Sequence, residues 1–364
     1  MKKSFLTIIA IAALILSSCS NKVDLYNYDG DTTVVYAMLD TSLDTNFFKI
    51  THSFIGDVSQ LSQSYEANNY NYDEIEVTFS GVFEGNNQPQ TFTLDTVSKW
   101  KPYDENSQFY SGCRQTYYYT TQKLKEGEEY SLNVLRKEDN VNVFAKAVTI
   151  NNFTYQKPIS TIPITFTDVT TSTANVEWNV PTFPFRSTAA YFEVTGYFHY
   201  KELLPGAQDT IRQSIKWGMG SGKEETLYND SRIDGIGLQG MGSGKEETLY
   251  NTSSSLPYYV ISYTPSVLFT LLANDEHLQN NSPGAQRWFE KFEFDVTAIG
   301  EDLYNYYLAT NSTSAIQDVP NYSNVENGMG IMSARVTKSI FLTIRDNTRA
   351  KIIERFPEYG FIVN

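Results

Sequence analysis

Lys125-Glu126-Gly127-Glu128-Glu129-Tyr130-Ser131-Leu132-Asn133-Val134 puts a glycine turn directly ahead of an alternating run. Tyr130, Leu132 and Val134 fall on one side of that run, Ser131 and Asn133 on the other. Period two is the spacing of a half-buried strand. In immunoglobulin-like sandwiches a tyrosine in this position closes the corner between sheets, its hydroxyl bonded to nearby backbone. The segment therefore predicts a β-sandwich built around its own strand.

The same period recurs outward in both directions. Residues 141–150 (Val-Asn-Val-Phe-Ala-Lys-Ala-Val-Thr-Ile) read as the next strand. Upstream, Ile75, Val77 and Phe79 alternate with Glu76, Thr78 and Ser80, and residues 91–94 repeat the pattern on a smaller scale. Residues 34–39 read as the first strand and residues 47–51 as its hairpin partner. Short strands separated by turn signals make residues 34–158 an N-terminal Ig-like β-sandwich. Prolines then punctuate the chain from Pro158 to Pro163. Beyond them Ala174, Val176 and Trp178 point inward on another alternating run. Pro181, Pro184 and a tyrosine-bearing strand at residues 190–198 follow, the opening of a fibronectin-III-like sandwich. Residues 159–364 are expected to form this second β domain, with insertions. Helices are expected at 264–278, 301–310 and 347–356, and strands at 292–296 and 340–344. The fold class is mainly β: two tandem Ig-like or fibronectin-III-like sandwiches, the second elaborated with short helices and a glycine-rich excursion. The aromatic content of 14% agrees, because strands favour Tyr and Phe.

That excursion carries a duplication. Gly218-Met-Gly-Ser-Gly-Lys-Glu-Glu-Thr-Leu-Tyr-Asn229 recurs letter for letter as residues 240–251. Two copies are too few to stack as a solenoid, so the segment reads as a recent duplication within a flexible excursion or an elaborated hairpin.

The N-terminus carries a different signal. Met1-Lys2-Lys3 is followed by uncharged, mostly apolar sequence to Leu16, then Leu16-Ser17-Ser18-Cys19. The run is shorter than the roughly 20 residues a membrane-spanning helix needs, and it has the length of a secretory hydrophobic region. Residues 1–18 are thus expected to be a lipoprotein signal peptide, Cys19 the lipidation site, and residues 19–33 a lipidated tether. No aspartate follows Cys19, which favours the outer membrane and leaves its periplasmic and surface faces both open. Once Cys19 is lipidated, Cys113 is the remaining thiol, so no internal disulfide can form and the fold must stand on its packed core.

The formal charge is −14, and loss of Lys2 and Lys3 with the signal takes the side-chain total to −16. Such a surface repels nucleic acid, whose binding rests on Lys and Arg neutralising phosphates. No catalytic or metal-binding constellation emerges. Gly218-Met-Gly-Ser-Gly222-Lys223 has three residues between its outer glycines where a phosphate loop needs four, and Glu224 where the loop needs Ser or Thr. His52, His199 and His277 have no partners at zinc-ligand spacing, and neither Ser221 nor Ser243 sits in a nucleophile elbow. The aspartates around Gly30 fail the calcium-loop spacing. Neither enzyme activity nor a cofactor is expected. Tyr70, Tyr72, Tyr117, Tyr118 and Tyr119 are the candidate ligand-facing aromatics, and a glycan or peptide is the ligand class they suit.

Four features occur in an order that resembles a known family. A lipobox precedes Lys22-Val23-Asp24-Leu25. Tyr110-Ser111-Gly112 precedes Gly127-Glu-Glu-Tyr130-Ser-Leu132-Asn-Val134. Ile299-Gly-Glu-Asp-Leu-Tyr304-Asn-Tyr-Tyr307 follows, and last comes Asn324-Val-Glu-Asn327-Gly328-Met-Gly330-Ile331-Met-Ser-Ala334. Together they resemble the Bacteroidota outer-membrane lipoproteins grouped as "domain of unknown function 4249". The resemblance implies a β-rich, Ig-like architecture and a TonB-dependent transporter of the SusC type as partner, since members are often encoded beside one. It carries over no catalytic residues, and the duplicated segment departs from the family pattern. The expected function is that of an outer-membrane-anchored, non-enzymatic binding or accessory lipoprotein in nutrient uptake. The alternative is a structural or adhesive cell-surface Ig-like lipoprotein.

Overall fold

The alternating segments become strands, and among the described residues the strands assemble into three sheets. A computed structural model describes residues 32–53, 71–72, 74–103, 112–182, 184, 186–229, 257–280, 283–310 and 322–363. Cys19, Tyr70 and the second copy of the duplicated segment lie outside the described residues. The first half supplies β1 (Thr33–Leu39), β2 (Asn46–His52), β3 (Ile75–Gly81), β4 (Gln90–Thr93), β5 (Asp95–Lys101), β6 (Cys113–Thr120), β7 (Glu129–Arg136) and β8 (Val141–Val148). The second half supplies β9 (Thr154–Lys157), β10 (Ala174–Asn179), β11 (Tyr191–Leu203), β12 (Ile211–Lys223), the helical turn α1 (Glu224–Leu227), β13 (Tyr228–Asn229) and β14 (Tyr258–Tyr263). After these come α2 (Val267–Asn274), α3 (Glu276–Asn280), β15 (Gln286–Ile299), α4 (Glu301–Thr310), β16 (Val325–Glu326), β17 (Met329–Leu342), α5 (Asp346–Arg355) and β18 (Phe361–Ile362).

One nine-stranded sheet runs β12-β11-β15-β17-β1-β2-β6-β5, with β18 paired to β15. A five-stranded sheet (β16-β8-β7-β3-β4) and a four-stranded sheet (β13-β14-β10-β9) cover the same face of it. Register shows why the face is shared. Phe48 sits opposite Ala37, Ala37 opposite Met332, and Ile340 opposite Phe294, so every second residue along β17 joins one core surface. At one end Phe48 meets Phe79 of the five-stranded sheet, ring centroids 4.9 Å apart. At the other, Phe294 meets Tyr263 at 5.7 Å and Phe192 meets Trp178 at 5.1 Å. A single buried cluster includes side chains from both ends. On the opposite face α4 covers Ile331 and Ile299 with Leu303, and Tyr304 stacks on Tyr191 at 4.7 Å.

The mainly β sandwich fold is thus as expected, and Tyr130 closes its corner. Its hydroxyl donates to the Val82 carbonyl and accepts from the Lys125 amide at 2.7 Å, while its ring stacks on Phe79. In the second half Trp178 is fully buried, as its alternation predicts. Tyr155 on β9 reaches into the large sheet, its hydroxyl 2.8 Å from the carbonyls of both Phe294 and Lys338.

The domain division takes a different shape from the expected break at residue 158. β9 lies before the prolines yet pairs with β10, so it belongs to the second sandwich. β16 and the first half of β17 come from the far end of the chain yet complete the first sandwich, pairing with β8 and β1. Residues Thr32–Asn364 form one compact unit. Local pattern marks strands; it does not say which sheet a strand will join. Three smaller expectations also change. The helix expected at 264–278 is two, broken at Asp275, whose backbone is extended and whose carboxylate caps the Leu278 amide at 2.9 Å. The late strand at 340–344 is the tail of the 14-residue β17. Of the two readings of the duplicated segment, the flexible excursion gives way to the elaborated hairpin in the first copy: residues 218–223 are strand, paired with β11.

Candidate ligand groove

The chain crosses between the two sheets of the first sandwich at Leu94, leaving β4 in one sheet and entering β5 in the other. Both are edge strands, so the sandwich is open there. A groove of about 450 Å³ lies in the opening, with Tyr72, Glu76, Thr93, Thr96, Tyr118 and Lys137 in its lining. That is within the roughly 300–1,000 Å³ of small-ligand pockets. Apolar floor comes from Val77 and Leu94, hydroxyls from the threonines, and a charged pair from Lys137 and Glu76, 3.9 Å apart.

Register carries the groove face farther along the sheet. Thr96 sits opposite Tyr118, Ser98 opposite Thr116 and Trp100 opposite Arg114, all on one side of the β5–β6 pair. Trp100 therefore lies about 13 Å from Thr96 along the strand, on the groove side. It is 61% exposed, an aromatic ring that the fold itself does not bury. Tyr72 is fixed in the lining: its hydroxyl is 2.7 Å from Thr33 Oγ1, His52 meets its ring edge-on at 5.2 Å, and the Arg136 guanidinium lies 5.6 Å from the ring. Burial raises the Tyr118 phenol above its ordinary range, so it stays a neutral hydrogen-bond donor.

Of the sequence candidates, the structure brings Tyr72 and Tyr118 together. It sends Tyr117 and Tyr119 to the opposite face of the sheet, where both pack near Phe47 with centroids at 6.4 and 6.1 Å. Three consecutive tyrosines on a strand cannot form one platform, because successive side chains alternate faces. Glu76, Lys137 and Trp100 were not singled out from sequence. The alternation of Thr96, Ser98 and Trp100 with Val97, Lys99 and Lys101 was the available signal, and its polar character hid a strand.

The face behind the groove holds an electrostatic liability. Lys49 donates to Gln115 Oε1 at 2.9 Å, and the Tyr117 hydroxyl donates to the same oxygen at 2.9 Å. Burial, reinforced by Lys101, pushes the Lys49 ammonium down to about 8 from 10.5. Between those values the unfolded chain keeps the proton and the folded chain does not, so stability rises with pH across that window. Below pH 8 the penalty is present in full. Lys49→Met is therefore expected to stabilise the protein at pH 7 and to flatten the rise between pH 8 and 10.5. Urea midpoints of both proteins at pH 7 and pH 10 check this, and an undiminished rise in the variant contradicts it.

The histidines sit apart. His199 Nε2 is 2.7 Å from Glu293 Oε2 on the face of the large sheet away from the main core, and His277 Nε2 is 2.7 Å from Glu202 Oε2. Beside the first pair, burial and the nearby Glu293 raise the Asp295 carboxyl. Among the described residues no group of three or more His, Cys, Asp and Glu is placed to hold a metal ion. Also among them, no helix is long and apolar enough to cross a membrane. Cys113 is buried, the small packed residue its surroundings suggest. No protein-family model matches the chain, and no curated protein matches it.

Proposed function

We propose that this chain is an outer-membrane-anchored, non-enzymatic binding lipoprotein that takes a glycan or peptide in the edge groove and hands it to a TonB-dependent transporter. The observation that carries the binding half is the groove face itself. Tyr72 and Tyr118 line the groove with threonine hydroxyls and a Lys–Glu pair, and the exposed Trp100 lies farther along the Tyr118 side of the β5–β6 pair. Flat rings beside convergent polar groups are what a sugar or an extended peptide needs. The lipobox supplies the anchoring half, and the resemblance to lipoproteins encoded beside SusC-type transporters supplies the partner.

Two measurements test the reading. Binding of the pure protein to panels of oligosaccharides and peptides is expected to fall about tenfold on Trp100→Ala, the size of one lost aromatic contact, with the melting midpoint unchanged. Equal binding by both proteins removes the groove from the proposal. A mild-detergent pull-down of the C-terminally tagged protein from native outer membranes is expected to recover a stoichiometric TonB-dependent barrel. Recovery of the lipoprotein alone favours the structural or adhesive reading, and turnover of any polysaccharide by the pure protein overturns the non-enzymatic one.

A further inference from the structure

The first copy of the duplicated segment fills a defined slot in the second sandwich. Gly222, Ser221 and Gly220 lie opposite Phe192, Glu193 and Val194 of β11. Ser221 Oγ is 2.7 Å from the Tyr191 hydroxyl. Gly220 has φ +152 and passes close to Ile261, while Gly222 packs on Leu227 with no room for a Cβ. The Glu224 amide donates to the Ala190 carbonyl at 2.8 Å. Its buried carboxylate accepts from Arg186 Nε at 2.8 Å and from the Tyr259 hydroxyl. Leu227 and Tyr228 are buried, Arg186 lies 4.2 Å over the Tyr228 ring, and Tyr228 pairs with Tyr259. All of these contacts use residues of the 12-residue segment, and every one of those residues recurs at the same spacing in residues 240–251.

We propose that this slot has two interchangeable occupants, residues 218–229 and residues 240–251, and that the protein exchanges between them. Within the slot the two arrangements have the same contacts, so the balance is set outside it. With the first copy seated, 28 residues (230–257) connect Asn229 to Tyr258 across an antiparallel pair of strands. With the second seated, residues 252–257 close the same pair as a six-residue hairpin loop, an ordinary length, and residues 218–239 leave the strand after Trp217 as a 22-residue loop. Closure entropy grows only logarithmically with loop length, so dividing one long connection into these two shifts the balance by on the order of tenfold. Exchange moves a 22-residue loop from one side of the slot to the other without altering the core.

The test truncates the same buried leucine in each copy. A sole occupant loses more than about thirtyfold in the folding equilibrium constant on Leu→Ala at a buried site. Under exchange, Leu227→Ala alone is expected to lose no more than about tenfold, because the second copy replaces the first. Leu249→Ala alone is expected to be nearly silent, and the double variant is expected to lose far more than the two single losses combined. Additive losses, with Leu249→Ala silent in both backgrounds, overturn the proposal. A second variant tests the geometry. Deleting residues 230–251 or residues 218–239 yields one and the same chain, with a single copy and the six-residue connection. That chain is expected to fold with an undiminished midpoint, and its failure to fold also overturns the exchange. Limited proteolysis adds a positional readout: in Leu227→Ala, protection is expected to pass from Lys223 to Lys245, and continued protection of Lys223 contradicts it.

Discussion

Gly330→Ala is expected to cost the protein at least about 3 kcal/mol, and a urea-unfolding midpoint measured against the parent checks it. Gly330 has φ +110, a region L side chains rarely enter, and an ideal Cβ there lies 2.0 Å from the Val35 carbonyl oxygen. A carbon and a carbonyl oxygen approach no closer than about 3.3 Å even in favourable contacts. The obstacle is backbone of the neighbouring strand, so no rotamer change relieves it. Position 330 is where β17 runs parallel to β1, with Val35 its register partner. Relief therefore means separating the strand that joins the two halves of the large sheet. Gly85 is the control. Its φ is +81, but nothing lies within 4 Å of its Cβ position. Gly85→Ala is expected to cost only the left-handed backbone penalty, about 1–2 kcal/mol. Similar losses at both sites would mean that the β1–β17 junction yields more easily than its geometry implies.

This glycine lies in the run Asn327-Gly328-Met329-Gly330-Ile331, and close backbone accounts for its two glycines. Asn327 is left-handed at φ 56, and its side-chain Nδ2 donates to the Asn142 carbonyl at 2.9 Å. A Cβ on Gly328 would meet the Thr33 carbonyl at 2.8 Å. The run carries the chain from β16 in one sheet to β17 in the other past backbone that leaves no room for a Cβ at Gly328 or Gly330. Local pattern exposed what is local: period two in β3, β7 and β10, the corner at Tyr130, the buried face of Trp178. Partners were not legible, because alternation marks a strand's faces and leaves its neighbours open. β17 and β1 are nearly 300 residues apart in the chain, and their parallel pairing joins what local pattern divides into tandem domains. The groove was half legible for the same reason. Aromatic content flagged Tyr72 and Tyr118, but alternation along β6 divides Tyr118 from its two neighbours, and only the β5–β6 register brings Trp100 to its side. Glycine density likewise suggested flexibility at residues 218–222, where Gly222 instead answers a close approach.

Arg287→Met is expected to destabilise the protein by about 3–5 kcal/mol, the cost of leaving one member of a buried ion pair without the other. Arg287 and Glu202 face each other across β15 and β11, and both are 0% exposed. Arg287 Nε donates to Glu202 Oε1 at 2.8 Å, and the guanidinium also donates to the Tyr359 carbonyl. The second carboxylate oxygen is held by His277 Nε2 at 2.7 Å. Arg287 further fixes the C-terminal segment through its backbone, whose amide donates to the Gly360 carbonyl at 2.8 Å. Replacing the arginine leaves a carboxylate in the core with its strongest partner gone, and it takes from the turn before β18 the bond to the Tyr359 carbonyl. Amide hydrogen exchange at Phe361 is expected to accelerate ahead of global unfolding, since Arg287 and Phe361 are register partners in the β15–β18 pair. The double variant Arg287→Met, Glu202→Leu decides between two meanings of the pair. Desolvating two charges offsets most of their attraction, so the double variant is expected to recover a large part of the single loss. Recovery would show that the cost lies in the orphaned charge. A double variant as unstable as Arg287→Met would show instead that the network of Glu202, His277 and Tyr359 positions the C-terminal strand, and that apolar packing cannot replace it.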